Sequence, residues 1–234
     1  MAVKSVHFPS VAPEGDRIRI TGDEHHHLVV GRVQPGEPVE VFDGEGRVWT
    51  AEVETTSRRE TTVRILGSRR VERSGPEIIL GLSLIKPAAF ELALEKAVEI
   101  GVNRICPVLA ARSNAPQADR AERWRRIVIE AAKQSKHYHL PVVDRPMRFA
   151  DILDLEASTK ILFAERSGGP LKSALAGAPV LCLVGPEGGW TDVELADASG
   201  KGFHLVGLGD GLLRSETAAI IGAALIRYEL QNNL

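Results

Sequence analysis

The 234 residues carry a formal net charge of −2, with 44% hydrophobic and 26% charged residues, proportions ordinary for a soluble globular protein. That length suits one large domain or two unequal ones. No apolar run approaches the roughly twenty residues that cross a bilayer, and the segment from Met1 to Pro9 lacks the apolar stretch of a signal peptide, so a cytoplasmic protein with no membrane partner is expected.

The first seventy-odd residues read as all-β. Val39–Phe42, Val48–Glu54 and Thr61–Leu66 alternate or are β-branched, and Asp43-Gly44-Glu45-Gly46 and Ser57–Glu60 separate them. Short strands with such turns suggest a small barrel. His25-His26-His27 invites a zinc reading, but three adjacent side chains cannot all face one ion in regular structure, and no Cys/His spacing accompanies them. No metal is expected. Between Arg58 and Arg73 six arginines, including Arg59, Arg69 and Arg70, stand against Glu60 and Glu72.

At Arg73-Ser74-Gly75-Pro76 the pattern changes, which divides the chain into residues 1–73 and 74–234. Ile78–Ile85 reads as a strand ending at Lys86-Pro87, and a helix with Phe90, Leu94 and Val98 on one face follows. Gly101 stops that helix, and Arg104–Ala111 is the next strand. A long helix from about Asp119 to Tyr138 carries Trp124, Ile127, Val128 and Ala131 on one face. Strands at Lys160–Ala164, Pro179–Val184 and Phe203–Leu208 each feed a loop, and a helix from Ser215 to about Leu230 closes the chain. This alternation predicts a parallel α/β sheet covered on both faces. Cys106 and Cys182 lie inside apolar strands, as buried reduced thiols do. Between Arg112 and His139 seven Lys or Arg, among them Arg126 and Lys133, face Asp119, Glu122 and Glu130. Each basic stretch has a net charge of +4. Two solvated faces are the plainer explanation of either alone; together they favour a polyanionic partner.

Two glycine loops carry the chemistry. In Leu183-Val184-Gly185-Pro186-Glu187-Gly188-Gly189-Trp190-Thr191 a buried strand enters a turn where glycines let backbone approach a ligand, at the carboxyl end of a strand where open α/β sheets bind ligands. Thr191 and Glu194 have the spacing of a capping box, so Glu194 reads as a helix cap, whereas Glu187 reads either as a simple turn residue or, in preference, as ligand-facing. In Val206-Gly207-Leu208-Gly209-Asp210-Gly211-Leu212-Leu213-Arg214-Ser215 another strand enters a glycine loop. A dinucleotide fingerprint belongs to the first βα turn of a βαβ unit; this loop precedes the last helix. Arg214 opposes the helix dipole there and makes better sense facing an anion.

With Lys96, Glu99-Ile100-Gly101-Val102 and Glu130-Ala131-Ala132-Lys133-Gln134-Ser135, the loops Gly185–Gly189 and Leu213–Ala218 give a chain that resembles, over almost its whole length, the RsmE family of 16S ribosomal RNA uridine-N3 methyltransferases of the SPOUT superfamily. The resemblance implies an α/β fold: a SPOUT-type C-terminal domain with a parallel sheet and a trefoil knot, preceded by a small PUA-like β-barrel that binds RNA. It implies S-adenosyl-L-methionine as methyl donor, held by Leu183, Val184, Gly185, Pro186, Glu187, Gly188 and Gly189 and by Leu208, Gly209, Leu212, Leu213 and Arg214. The family works as homodimers on 16S ribosomal RNA, here expected in the assembled small subunit. Arg214 is the candidate to stabilise a deprotonated uracil and Glu187 a candidate to position it or accept its proton. Arg58, Arg59, Arg69, Arg70, Arg73, Lys86, Arg112, Arg126, Lys133 and His137 are the candidate RNA surface. The family often has arginine where His137 stands and a larger polar residue where Gly211 stands. Ribose methylation of transfer RNA by another SPOUT enzyme and a non-catalytic RNA-binding assembly factor are the alternatives.

Overall fold

The computed structural model describes residues 3–9, 13–114, 120–164 and 168–232. The chain forms two compact units, one of residues 1–73 with 132–140, the other of residues 74–131 with 141–234. Asp119, the expected start of the long helix, lies outside the described residues.

The first unit holds β1 (Lys4–His7), β2 (Arg17–Ile20), α1 (Gly22–Val30), β3 (Pro38–Phe42), β4 (Arg47–Thr56) and β5 (Thr61–Arg70). Its sheet runs β1-β3-β4-β5-β2, with β1 parallel to β3 and the other pairs antiparallel. Alternation works as expected of a half-buried sheet: Val39, Val41, Ala51 and Val63 are fully buried and join Ile18, Ile20 and Trp49 in one core. The β3–β4 turn is held by the Asp43 carboxylate, which accepts the backbone N–H of Glu45 at 2.7 Å and of Arg47 at 3.1 Å. Helix α1 corrects the all-β expectation. It buries one aliphatic side chain, Leu28, and with it His25, too little apolar stripe for helical periodicity to show. The helix also splits the histidine triplet. His25 Nδ1 lies 2.9 Å from the buried Thr61 hydroxyl, while His26 and His27 are exposed.

The segment 132–140 completes this unit. Glu40 receives hydrogen bonds from Lys136 (2.8 Å), Tyr138 (3.1 Å) and Arg69 (3.1 Å). Burial alone would raise the Glu40 carboxyl, but these three donors outweigh it and hold it below its ordinary range. Tyr138 also packs edge-on against Phe42 at 5.6 Å.

The second unit contains β6 (Ile78–Ser83), α2 (Pro87–Ile100), β7 (Arg104–Leu109), most of α3 (Ala121–Ser135), β8 (Val142–Val143), β9 (Met147–Arg148), α4 (Phe149–Ile152), β10 (Thr159–Phe163), α5 (Leu171–Ala174), β11 (Val180–Val184), α6 (Asp192–Gly200), β12 (His204–Val206) and α7 (Ser215–Asn232). All pairs in its sheet are parallel, in the order β12-β10-β11-β6-β7-β8, with β9 also on β7. Every residue of β6 and β11 is buried, as central parallel strands covered on both faces require. Gly101 ends α2 in the left-handed region at φ 88°. The last helix does not stay beside β12 at the sheet edge: α7 packs on α2, β6 and β11. Among the described residues no helix is long and apolar enough to cross a membrane.

Candidate active site

Three neighbouring strands, β12, β10 and β11, end side by side, and the loops that leave them enclose a cavity of about 530 Å³. Its walls are the strand ends Phe163, Ala164, Val184 and Val206, the turn Gly185, Pro186, Gly188, Gly189 and Trp190, and Leu208, Gly209, Gly211, Leu213 and Ser215 from the second loop. Arg112 and Asp192 are its charged members.

Sequence dictates the shape of the first loop. Trp190 is 9% exposed; its indole N–H donates to the Phe163 carbonyl at 3.0 Å, and its ring lies 5.1 Å from Phe149. A side chain at Gly185 would press on that indole, its Cβ within 3.1 Å of ring atoms. At Gly189 the backbone has φ 69°, which favours glycine. The Arg112 guanidinium donates to the Gly188 carbonyl at 2.7 Å. Thr191 and Glu194 form the expected capping box, and the buried Glu194 carboxylate also accepts the Ala111 N–H at 2.8 Å. One side chain thereby caps α6 and ties it to the loop after β7.

The second loop is set by backbone pairing. The Gly169 N–H donates to Leu205 O at 2.9 Å, Gly207 N–H to Gly169 O at 3.2 Å, and Ala164 N–H to Val206 O at 2.9 Å. A Cβ on Gly168 would stand 1.9 Å from the Gly207 nitrogen.

A second hollow of about 670 Å³ shares Leu213 and Ser215 with the first. Lys86, Leu92, Glu187, Leu212, Arg214 and Glu216 line it. Glu187 Oε1 accepts the Lys86 backbone N–H at 3.1 Å, and Oε2 lies 3.4 Å from Asn114 Nδ2. Of the expected donor-loop residues, Val184, Gly185, Pro186, Gly188, Gly189, Leu208, Gly209 and Leu213 line the first cavity. Glu187, Leu212 and Arg214 line the second, and Leu183 is wholly buried in β11. Phe163, Trp190 and Ser215 were not foreseen. The strand-end rule points to Phe163, and the tryptophan flanking the glycines was itself a signal.

The basic residues are dispersed. Arg58, Arg59 and Arg73 are exposed, Arg58 and Arg59 on a turn that the Ser57 hydroxyl braces through the backbone N–H groups of Arg59 and Glu60. Arg69 pairs with Glu40 and lies over the Tyr138 ring. Arg70 sits 3.6 Å from Glu72, and Arg126 3.3 Å from Glu122. Lys133 is 9% exposed and pairs with Glu24 at 3.2 Å; His137 is half-buried. Lys86 and Arg112 lie at the two cavities instead. Cys106 and Cys182 are free and buried, and burial pushes each thiol up to about 12, with Asp144 adding to the effect at Cys106. Neither is a nucleophile at neutral pH.

Residues 72–227 match the RNA methyltransferase domain family, and residues 20–66 match the RNA methyltransferase PUA domain. Ribosomal RNA small subunit methyltransferase E of Synechocystis is 32% identical over 99% of this chain and 79% of its own length. The crystal structure of a ribosomal RNA small subunit methyltransferase E from Neisseria gonorrhoeae bound to S-adenosyl methionine superposes with a TM-score of 0.91 at 30% identity, covering 97% of this chain and 98% of that one. A putative methyltransferase of Legionella pneumophila, in complex with the cofactor SAM, has a TM-score of 0.90 at 26% identity over 97% and 98% of the two chains. With both of its regions matched by RNA methyltransferase families and a relative aligned along nearly its whole length, the chain belongs to the ribosomal RNA small subunit methyltransferase E family.

Proposed function

We propose that this protein methylates N3 of a uridine in 16S ribosomal RNA, using S-adenosyl-L-methionine as donor. The observation that carries the reading is the first cavity, at the end of three parallel strands and walled by two glycine loops. Its volume of about 530 Å³ lies in the range of small-molecule sites. The residues fit the donor. Phe163, Val184, Val206 and Leu208 offer apolar surface to a flat ring, the glycine turns offer close backbone, and Arg112 and Asp192 offer opposite charges to an amino-acid end. When bound, the donor supplies a methyl carbon on a cationic sulfur, which departs with the electron pair of the broken carbon–sulfur bond.

The protein's part is to hold the acceptor and to stabilise it as it loses a proton. Uracil N3 lies between two carbonyl groups, so its anion spreads onto two oxygens. Arg214, exposed at the start of α7 and at the edge of the second hollow, is our candidate for that charge. Glu187 faces the same hollow, where its bond to the Lys86 N–H favours a positioning role.

The protein acts as a homodimer. An exposed apolar stripe on α7, Ile221, Leu225 and Tyr228 at helical spacing, supports a partner surface. The return of α7 from the sheet edge onto β11, β6 and α2 supports a trefoil knot.

Methylation of small subunits from a strain lacking the gene tests the assignment. Mass spectrometry should find one N3-methyluridine absent from that strain's 16S RNA and restored by protein and donor. A product on ribose, or no product, would refute it. The exposed Arg58, Arg59 and Arg73 on the N-terminal unit, with Arg126 on α3, are the proposed RNA contacts. Log affinity should then fall with log salt with a slope of roughly −3 for four phosphates. A slope near zero would remove them from the RNA surface.

A further inference from the structure

In the second unit several cations have a carboxylate partner close at hand. Arg120 and Arg123 share Glu91, Arg104 holds Asp144, Lys96 holds Glu95 and Glu99, Arg148 holds Asp151 and Lys201 holds Asp154. Lys86 and Arg214 differ. Both are exposed, both line the second hollow, and among the described residues neither has an ion-pair partner. This is so although two carboxylates, Glu187 and Glu216, line the same hollow. Glu187 is engaged elsewhere, on the Lys86 backbone N–H and near Asn114. It fixes the backbone that carries the Lys86 side chain and does not neutralise that side chain.

Two uncompensated cations at the rim of one hollow attract an acceptor that is neutral on arrival and anionic when it reacts. Leu92 (43% exposed) and Leu212 (75% exposed) give the hollow apolar surface against which a flat ring can lie. We propose that Lys86 is a second catalytic cation: with Arg214 it forms an acceptor site for a planar imide, an N–H flanked by two carbonyl groups, and thereby selects uracil over cytosine. This rests on the function proposed above.

The step balances without a further reagent. The imide N–H bond breaks, its electron pair stays on nitrogen, and the proton passes to solvent water. The negative charge spreads to the two carbonyl oxygens, one toward the Lys86 ammonium and one toward the Arg214 guanidinium. The nitrogen pair then forms the new bond to the methyl carbon as the donor's carbon–sulfur bond breaks, its electron pair leaving on the now neutral sulfur. Cytosine has an amino group in place of one of those carbonyls and no proton on N3, so it presents a donor to a site built of donors.

The test is Lys86→Met beside Lys86→Arg, with small subunits from a strain lacking the gene as substrate. Donor affinity is measured by calorimetry and single-turnover methylation is followed from neutral to alkaline pH. With Lys86→Met the neutral-pH rate should fall about ten- to hundredfold, at a donor affinity within about twofold of wild type. The deficit should shrink as pH rises, because a base that ionises unaided needs the cation less. Lys86→Arg should recover most of the rate. A wild-type rate in Lys86→Met, a deficit equal at every pH, a lack of rescue by arginine, or a lost donor affinity would each overturn the proposal. A wild-type protein that transfers no methyl to N3 would instead bring down the functional reading itself.

Discussion

Arg214→Ala should lower single-turnover methylation by about two to three orders of magnitude while donor affinity changes little. Arg214 lines the second hollow but not the first, so under the proposed function its loss should fall on the acceptor and spare the donor. Its position at the start of α7 is electrostatically uncomfortable, because a helix N-terminus already carries positive charge. No carboxylate relieves it among the described residues, so truncation should leave the fold intact and thermal stability unchanged or slightly improved. An interaction made only in the transition state lowers kcat and kcat/KM together. Unchanged turnover would end the catalytic assignment, and a loss confined to donor affinity would make Arg214 a donor-site residue.

The second large effect falls on stability. A methyl group on Gly168 would stand 1.9 Å from the Gly207 nitrogen and 2.1 Å from the Val206 carbonyl carbon. Both obstacles are backbone, held by the hydrogen bonds of Ala164 and Gly169 with residues 205–207, so no side chain can turn aside. Gly168→Ala should therefore cost at least about 3 kcal/mol, a fall in Tm of roughly 6–12 °C for a chain of this size. It should also abolish donor binding, since Ala164 and Val206 form one wall of the first cavity. Gly169→Ala is the control, its Cβ meeting only Leu205 O at 4.0 Å. Equal melting temperatures for the two variants would show that this backbone contact yields.

Much of the second unit was legible because its strands are wholly buried and its helices periodic. Ile78–Ser83 and Val180–Val184 announce themselves as unbroken apolar runs, and Thr191 with Glu194 gives away the start of α6. Helix α1 was not legible, because His25 takes a core position by bonding Thr61, 36 residues away. The same limit applies at the site. Glycine loops mark a place where backbone meets ligand, but Glu187 looked uncommitted until the chain brought Lys86 to it across 101 positions. Basic runs are equally local descriptions. Lys133 belongs to one and yet is nearly sealed beside Glu24, 109 residues distant, whereas Lys86 belongs to neither.

The contribution of residues 132–140 to the first unit sets an order of events in synthesis. Val71 N–H reaches Gly46 O at 2.8 Å, but Gly46 N–H bonds Tyr138 O, and the His139 imidazole meets the Val71 carbonyl at 2.7 Å. Glu40 draws two of its three donors from that late segment. N-terminal domains commonly fold as they emerge from the ribosome, but this one must wait, with the half-buried Glu40 short of Lys136 and Tyr138, until some seventy further residues have been translated. The N-terminal module cannot be excised at residue 73 and keep those partners, and its folding is coupled in time to that of the chain that follows it.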